Sequence, residues 1–237
     1  MPTKRLHKSR ALIAQTWESQ LNLSLFLGLL VVTVFLLPAL GFEGQYFNIS
    51  TDLVFSVVLV SGVAIAWGQR RLFLFGSCLA AIALSIRWAG WWIKSGEFEM
   101  LRDVATLASI ALISYVLLTQ VFRAGAITAA RNQGALAVYL LLGLGWAQAY
   151  QITSYLKPGS FQIPAGASSM VGGWYYFSFT TLTTLGYGDI VPIKPQARSL
   201  AMAEALTGQL YLAVLIARLI ALEVTSVQAD SELKSDE

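Results

Sequence analysis

Charge and reactive side chains are scarce in this chain. Of its 237 residues 12% are charged and 56% are hydrophobic, with a mean hydropathy of +0.63, whereas soluble domains carry roughly one-quarter charged residues. That balance excludes an ordinary water-soluble globule and points to a membrane protein. One cysteine, Cys78, excludes an intrachain disulfide framework or a thiolate metal cluster; inside an apolar run it reads as a small buried apolar residue. The single histidine, His7, lies in a basic stretch and reads as exposed. No metal-ligand cluster, no paired nucleophile and base and no phosphate-cradling loop occurs, so neither an enzyme nor a cofactor is expected. No small-residue cleavage site follows a short apolar stretch near the start, so the first apolar run reads as a retained span.

Long apolar runs are what the chain does have, at about 21–40, 53–68, 72–93, 104–122, 134–156 and 197–222. Most approach the ~20 residues a helix needs to cross the hydrocarbon core, and the second is short. The expectation is an all-α membrane protein with six transmembrane helices. Basic residues are uneven. Lys4, Arg5, Lys8 and Arg10 precede the first run, Arg70 and Arg71 follow the second, and Arg123 and Arg131 follow the fourth. Those segments mark the cytoplasmic side, and an even number of spans returns the C-terminus to it. The basic segment 1–20 reads as a surface attracted to anionic lipid, not as a nucleic-acid arm. Residues 21–122 make a peripheral four-helix domain, 123–133 a cytoplasmic connector, 134–222 a second domain and 223–237 an acidic cytoplasmic tail, solvated and partly disordered. The cell membrane is the expected location.

Within 134–222 the pattern is an apolar span, a loop with turn signals at Lys157-Pro158-Gly159 and Pro164-Ala165-Gly166, a short apolar helix over 173–183 and a last span over 196–222. Ser168 or Ser169 is the expected cap of the short helix. Too short to cross, that helix must be re-entrant, which requires that the backbone after it be buried in protein or face water. That backbone, 184–189, reads Thr184-Leu185-Gly186-Tyr187-Gly188-Asp189. Glycines at 186 and 188 permit left-handed φ values, which bring successive carbonyls to one side where ordinary strand geometry would alternate them. Such a row of carbonyls, with the Thr184 hydroxyl, can replace the water of a dehydrated cation, while Leu185 and Tyr187 pack behind the loop.

The stretch resembles the selectivity filter of the six-span potassium channel family, of the prokaryotic kind without a voltage sensor, with Leu185 where that family has Val. The resemblance implies a passive K⁺ channel in which Thr184, Leu185, Gly186 and Tyr187 bind K⁺ through a carbonyl ring, and a homotetramer because each chain has one filter loop. Filter support would come from Tyr176 and Phe177, where relatives carry tryptophans, with Gly188 and Asp189; membrane-interface anchoring is the other reading of those aromatics. Thr180 stands where many relatives brace Asp189 with a glutamate, so that brace is expected to be missing. Glu204, an intramembrane carboxylate, is either a structural hydrogen-bond partner or a pH-sensing gate element. Gly208 is either a hinge or a close-packing point.

The fourth run, Val104 to Phe122, has no basic residue, so weak or absent voltage dependence is expected. Arg87, flanked by Trp88, Trp91 and Trp92, either snorkels to the outer interface or pairs with Asp52 or Asp103. Alternatives to the K⁺ channel are a poorly selective cation channel, a K⁺ transporter-type subunit or a non-conducting membrane subunit.

Overall fold

A computed structural model describes residues 22–40, 45–65, 70–93, 95–122, 129–163 and 172–235. His7 and the basic segment, most of the connector, and Ser168 and Ser169 lie outside these. Seven helices are described: α1 (Asn22–Ala39), α2 (Gln45–Ile65), α3 (Arg70–Ala89), α4 (Gly96–Val121), α5 (Ala129–Leu156), α6 (Gly173–Leu182) and α7 (Pro195–Ser235). Of these, α1, α4, α5 and the Pro195–Arg218 part of α7 are long and apolar enough to cross a membrane, while α2 and α3 contain shorter apolar stretches, Ile49–Val63 and Phe73–Ala89.

Local sequence explains several boundaries. Ser95 caps α4 by accepting a 3.3 Å hydrogen bond from the Phe98 N–H, and Glu97 and Glu99 sit in that first turn, where the helix dipole favours negative charge. Pro195 opens α7, a position at which its missing N–H costs nothing. In α1, Pro38 has no N–H and its ring crowds the carbonyl four residues back, and the helix widens into a π-helical turn over Val32–Leu36, closed by a bond from the Leu37 N–H to the Val32 carbonyl. At 41 residues, α7 is about 60 Å long, twice the ~30 Å hydrocarbon thickness. It continues as helix to Ser235, where a partly disordered tail was expected from 223 onward.

Leu23, Phe26 and Leu30 of α1, Phe55 and Leu59 of α2, Ile113 and Leu117 of α4, and Val138, Leu141 and Leu144 of α5 form one buried cluster. Because lipid is as apolar as leucine, such helices associate through close packing and hydrogen bonds more than through water release. Small residues allow the approach: a Cβ on Gly62 would lie 2.6 Å from the Ile113 side chain, and one on Gly143 2.5 Å from the Phe179 ring. Helix hydroxyls find partners in their own backbone, as Thr33, Ser56, Ser77 and Ser109 do with carbonyls four residues earlier. Cys78, expected to be buried, lies on the exposed face of α3.

A two-residue antiparallel ribbon joins the segment before α6 to the segment after the filter-like loop. In it β1 (Phe161–Gln162) pairs with β2 (Val191–Pro192). The Ile193 N–H adds a 2.8 Å bond to the Ser160 carbonyl, and Lys194 Nζ one of 2.6 Å to that of Pro158.

Candidate functional site

The short helix α6 starts at Gly172, a left-handed residue with φ 85° and no side-chain cap, and ends at Thr183. Beyond it, positive φ recurs at every second residue: Thr184 at 60°, Gly186 at 55° and Gly188 at 79°. That period of two turns successive carbonyls toward the same side. The two glycines do this without strain, whereas Thr184, β-branched, is held there at a cost of roughly 1–3 kcal/mol. Thr184 was not foreseen as left-handed, although the spacing of Gly186 and Gly188, extended back by two, points to it.

Backbone donors hold this loop from the helix side. The N–H groups of Leu185 and Gly186 both donate to the Thr180 carbonyl, at 2.8 and 3.0 Å, and that of Thr184 donates to Thr181 at 2.9 Å. Among the described residues no backbone N–H donates to the carbonyls of Thr184, Leu185, Gly186 or Tyr187. Four successive carbonyl oxygens are thus left without a backbone donor among the described residues, and in an apolar surrounding each is costly unless something else takes it.

Thr180 supports the loop through its backbone oxygen; its hydroxyl turns back to the Phe177 carbonyl at 3.0 Å. Asp189 accepts a 3.0 Å hydrogen bond from the Ile190 N–H, and the Tyr176 hydroxyl is the neighbouring side-chain group that interacts with it. The Tyr176 ring also lies parallel to that of Tyr187, centroids 6.3 Å apart and 3° between planes. One tyrosine does what the sequence had shared between two positions. Phe177 faces away, edge-on to Tyr150 at 4.8 Å and near Phe161 at 5.7 Å. Leu185 and Tyr187 are not packed behind the loop by their own chain: they are 57% and 67% exposed. Leu185 borders an apolar cavity of about 480 Å³ between the π-helical turn of α1 and α6, lined also by Phe35, Tyr139, Tyr175 and Phe179.

Behind the loop, Glu204 of α7 is fully buried. Tyr150 of α5 donates to its Oε2, and Ser178 of α6 lies 2.5 Å from Oε1 and 2.7 Å from the Gly143 carbonyl of α5. Three helices meet on one carboxyl. Four residues further on, Gly208 touches the end of α6, where a Cβ would stand 2.3 Å from the Leu182 carbonyl. Gly208 is a packing point within an unbroken helix.

Arg87 is buried and paired. Its Nη1 is 2.6 Å from Asp52 Oδ1 and its Nη2 donates to Thr106 at 3.1 Å, while Trp91 Nε1 donates to Asp52 Oδ2 at 3.1 Å. The guanidinium sits 4.8 Å from the centre of the Phe55 ring, which stacks on Tyr175 of α6. The pair therefore ties α2, α3 and α4 and reaches the short helix.

Fold and site together define an integral membrane protein of mostly helical build with a short apolar helix followed by a loop of alternating left-handed residues. Residues 152–224 match the family model described as "Ion channel". Over 86 residues the chain is 33% identical to the two pore potassium channel c of Oryza sativa subsp. japonica, a stretch that makes up 36% of this chain and 17% of that protein. Over 81 residues it is 36% identical to the inward rectifier potassium channel Kirbac3.1 of Paramagnetospirillum magnetotacticum, covering 32% of this chain and 24% of the relative. Neither likeness reaches a quarter of the relative's length. No solved structure matches.

Proposed function

We propose that this chain is the subunit of a homotetrameric K⁺-selective channel, in which the carbonyls of Thr184, Leu185, Gly186 and Tyr187 from four copies replace the hydration shell of K⁺. The observation that carries the reading is the pairing of alternating left-handed φ at 184, 186 and 188 with four carbonyls that no backbone donor occupies. The negative end of the α6 dipole, at Thr183, favours a cation just below. Supporting the tetramer, the exposed residues Met202, Leu206, Leu210 and Val214 form an apolar stripe on α7, and only 11% of its membrane window is buried by its own chain against 56% for α5. Neighbouring copies are the partners such a stripe and a single filter loop require.

In this reading α2 and α3 complete six spans, both termini lie in the cytoplasm and anionic lipid attracts the segment 1–20. Arg87, neutralised by Asp52, contributes little to voltage sensing. The test is flux from purified protein in liposomes. K⁺ should pass and Na⁺ should not, and Gly186→Ala, which puts a Cβ on a residue with φ 55°, should abolish K⁺ flux while the protein still inserts.

One observation favours a second reading, a poorly selective cation channel: Leu185 borders an open apolar cavity, so the filter wall has room to yield. Reversal potentials in mixed K⁺ and Na⁺ separate the two.

A further inference from the structure

We infer that Glu204 positions α6 as a neutral carboxylic acid, and that loss of its proton unties α6 from α5 and closes the 184–189 loop to ions. The inference rests on the channel reading above and goes beyond it by naming a regulatory proton and its path to the filter.

The argument is a count of protons. Three hydrogen bonds meet at this point: Tyr150 with Glu204 Oε2, Ser178 with Glu204 Oε1, and Ser178 with the Gly143 carbonyl. A tyrosine and a serine hydroxyl hold one proton each, and a carbonyl holds none. The Tyr150 proton serves Oε2. If the Ser178 proton serves Gly143, the bond between Ser178 and Oε1 must draw its proton from the carboxyl. With Glu204 protonated, three bonds have three protons; with Glu204 ionised, two protons are left for three bonds. The bond that fails is the one to the neutral carbonyl, because a carboxylate is the stronger acceptor. That bond, Ser178 to Gly143, fastens α6 to α5.

Surroundings favour the neutral form. Glu204, Tyr150 and Ser178 are all fully buried, and an ionised carboxyl there without a cation is costly. The groups that face it are Tyr150 and, at longer range, Tyr139 from α5, Ser178 from α6, and neither residue of β2 is titratable. On its own helix Arg198 is exposed and gives its Nε to the Pro192 carbonyl at 3.2 Å. Transmission to the filter is short. Ser178 lies two residues before Thr180, whose carbonyl holds the Leu185 and Gly186 N–H groups.

The experiment is K⁺ flux from the full chain in liposomes as pH is raised symmetrically from acid to alkaline, with infrared spectra of the same samples. Wild-type flux should fall by about tenfold, the equivalent of one lost hydrogen bond, as a protonated-carboxyl band disappears. Glu204→Gln keeps a donor for Ser178 and an acceptor for Tyr150, so it should lack the band and conduct at the acid level at every pH. Ser178→Ala, which has no tie to lose, should show no pH dependence and offers a second variant if Glu204→Gln does not insert. Flux independent of pH in the wild type, a titration that survives in Glu204→Gln, or no protonated-carboxyl band at acid pH each overturns the inference. A titrating band without K⁺ flux at any pH overturns the channel reading and the gating claim with it, which distinguishes the two failures.

Discussion

Tyr176, on the helix that precedes the loop, lays its ring parallel to that of Tyr187 and its hydroxyl interacts with the Asp189 side chain. Tyr176→Phe removes the hydroxyl and keeps the ring contact, so it should cost about 0.5–1.5 kcal/mol of local stability, the worth of an ordinary hydrogen bond, and speed inactivation in low K⁺. Single-channel recordings in stepped K⁺ check it, and unchanged inactivation would assign the brace elsewhere. Residue identity made part of this readable. Gly186 and Gly188 announced their φ values because only glycine takes them freely. Thr180 in place of a carboxylate led to the expectation of a missing brace and gave no sign of the Tyr176 hydroxyl, four residues earlier in sequence and near Asp189 only once α6 is formed. The second attachment through the Thr180 carbonyl had no side-chain signal at all. A backbone oxygen looks the same in every residue.

At the scale of elements, the buried pair of Arg87 and Asp52 fastens α3 to α2, and Thr106 adds α4. Breaking one partner leaves a buried charge, so Asp52→Asn should destabilise the peripheral domain by roughly 3–5 kcal/mol, while Arg87→Met combined with Asp52→Leu should recover most of that loss. Thermal unfolding in detergent, followed in the unaltered protein, in Asp52→Asn and in the double variant, makes the comparison. Sequence left open whether Arg87 snorkels or pairs, because flanking tryptophans fit either, and only the approach of α2 decides. The same limit applies to Glu204, whose partner Tyr150 is 54 residues away. Apolar runs located most of the helices, and Pro38 explains the π-helical turn of α1. The ribbon of β1 and β2 is too short to leave a periodic pattern. The helical stretch of α7 beyond 222 was obscured by its acidic composition, which suits both a solvated helix and a disordered tail.

For the molecule as a whole, the least buried of the four membrane-length helices is also the one that follows the 184–189 loop. Charge adds a second asymmetry. The membrane-length part of α7 ends at Arg218, whose Nη1 lies 2.5 Å from the Val121 carbonyl at the end of α4 and whose guanidinium covers the Phe122 ring at 4.7 Å, a favourable place for a cation beside the C-terminus of α4. Cross-linking in native membranes should stop at four copies, and a charge on the apolar stripe, as in Leu206→Glu, should reduce the tetramer in favour of smaller species. Voltage steps in planar bilayers should change open probability only weakly, since α4 has no basic residue from Val104 to Val121; a steep response would place sensing charges that the described helices lack.

The contact of Gly208 with Leu182 sets how these parts can move. With 2.3 Å available to a Cβ, α7 cannot turn about its axis without presenting the side chain of Thr207 or Gln209 to the same oxygen, and neither fits. Leu182 is the last residue of α6, so whatever shifts α7 at Gly208 bears directly on the turn from which the 184–189 loop departs.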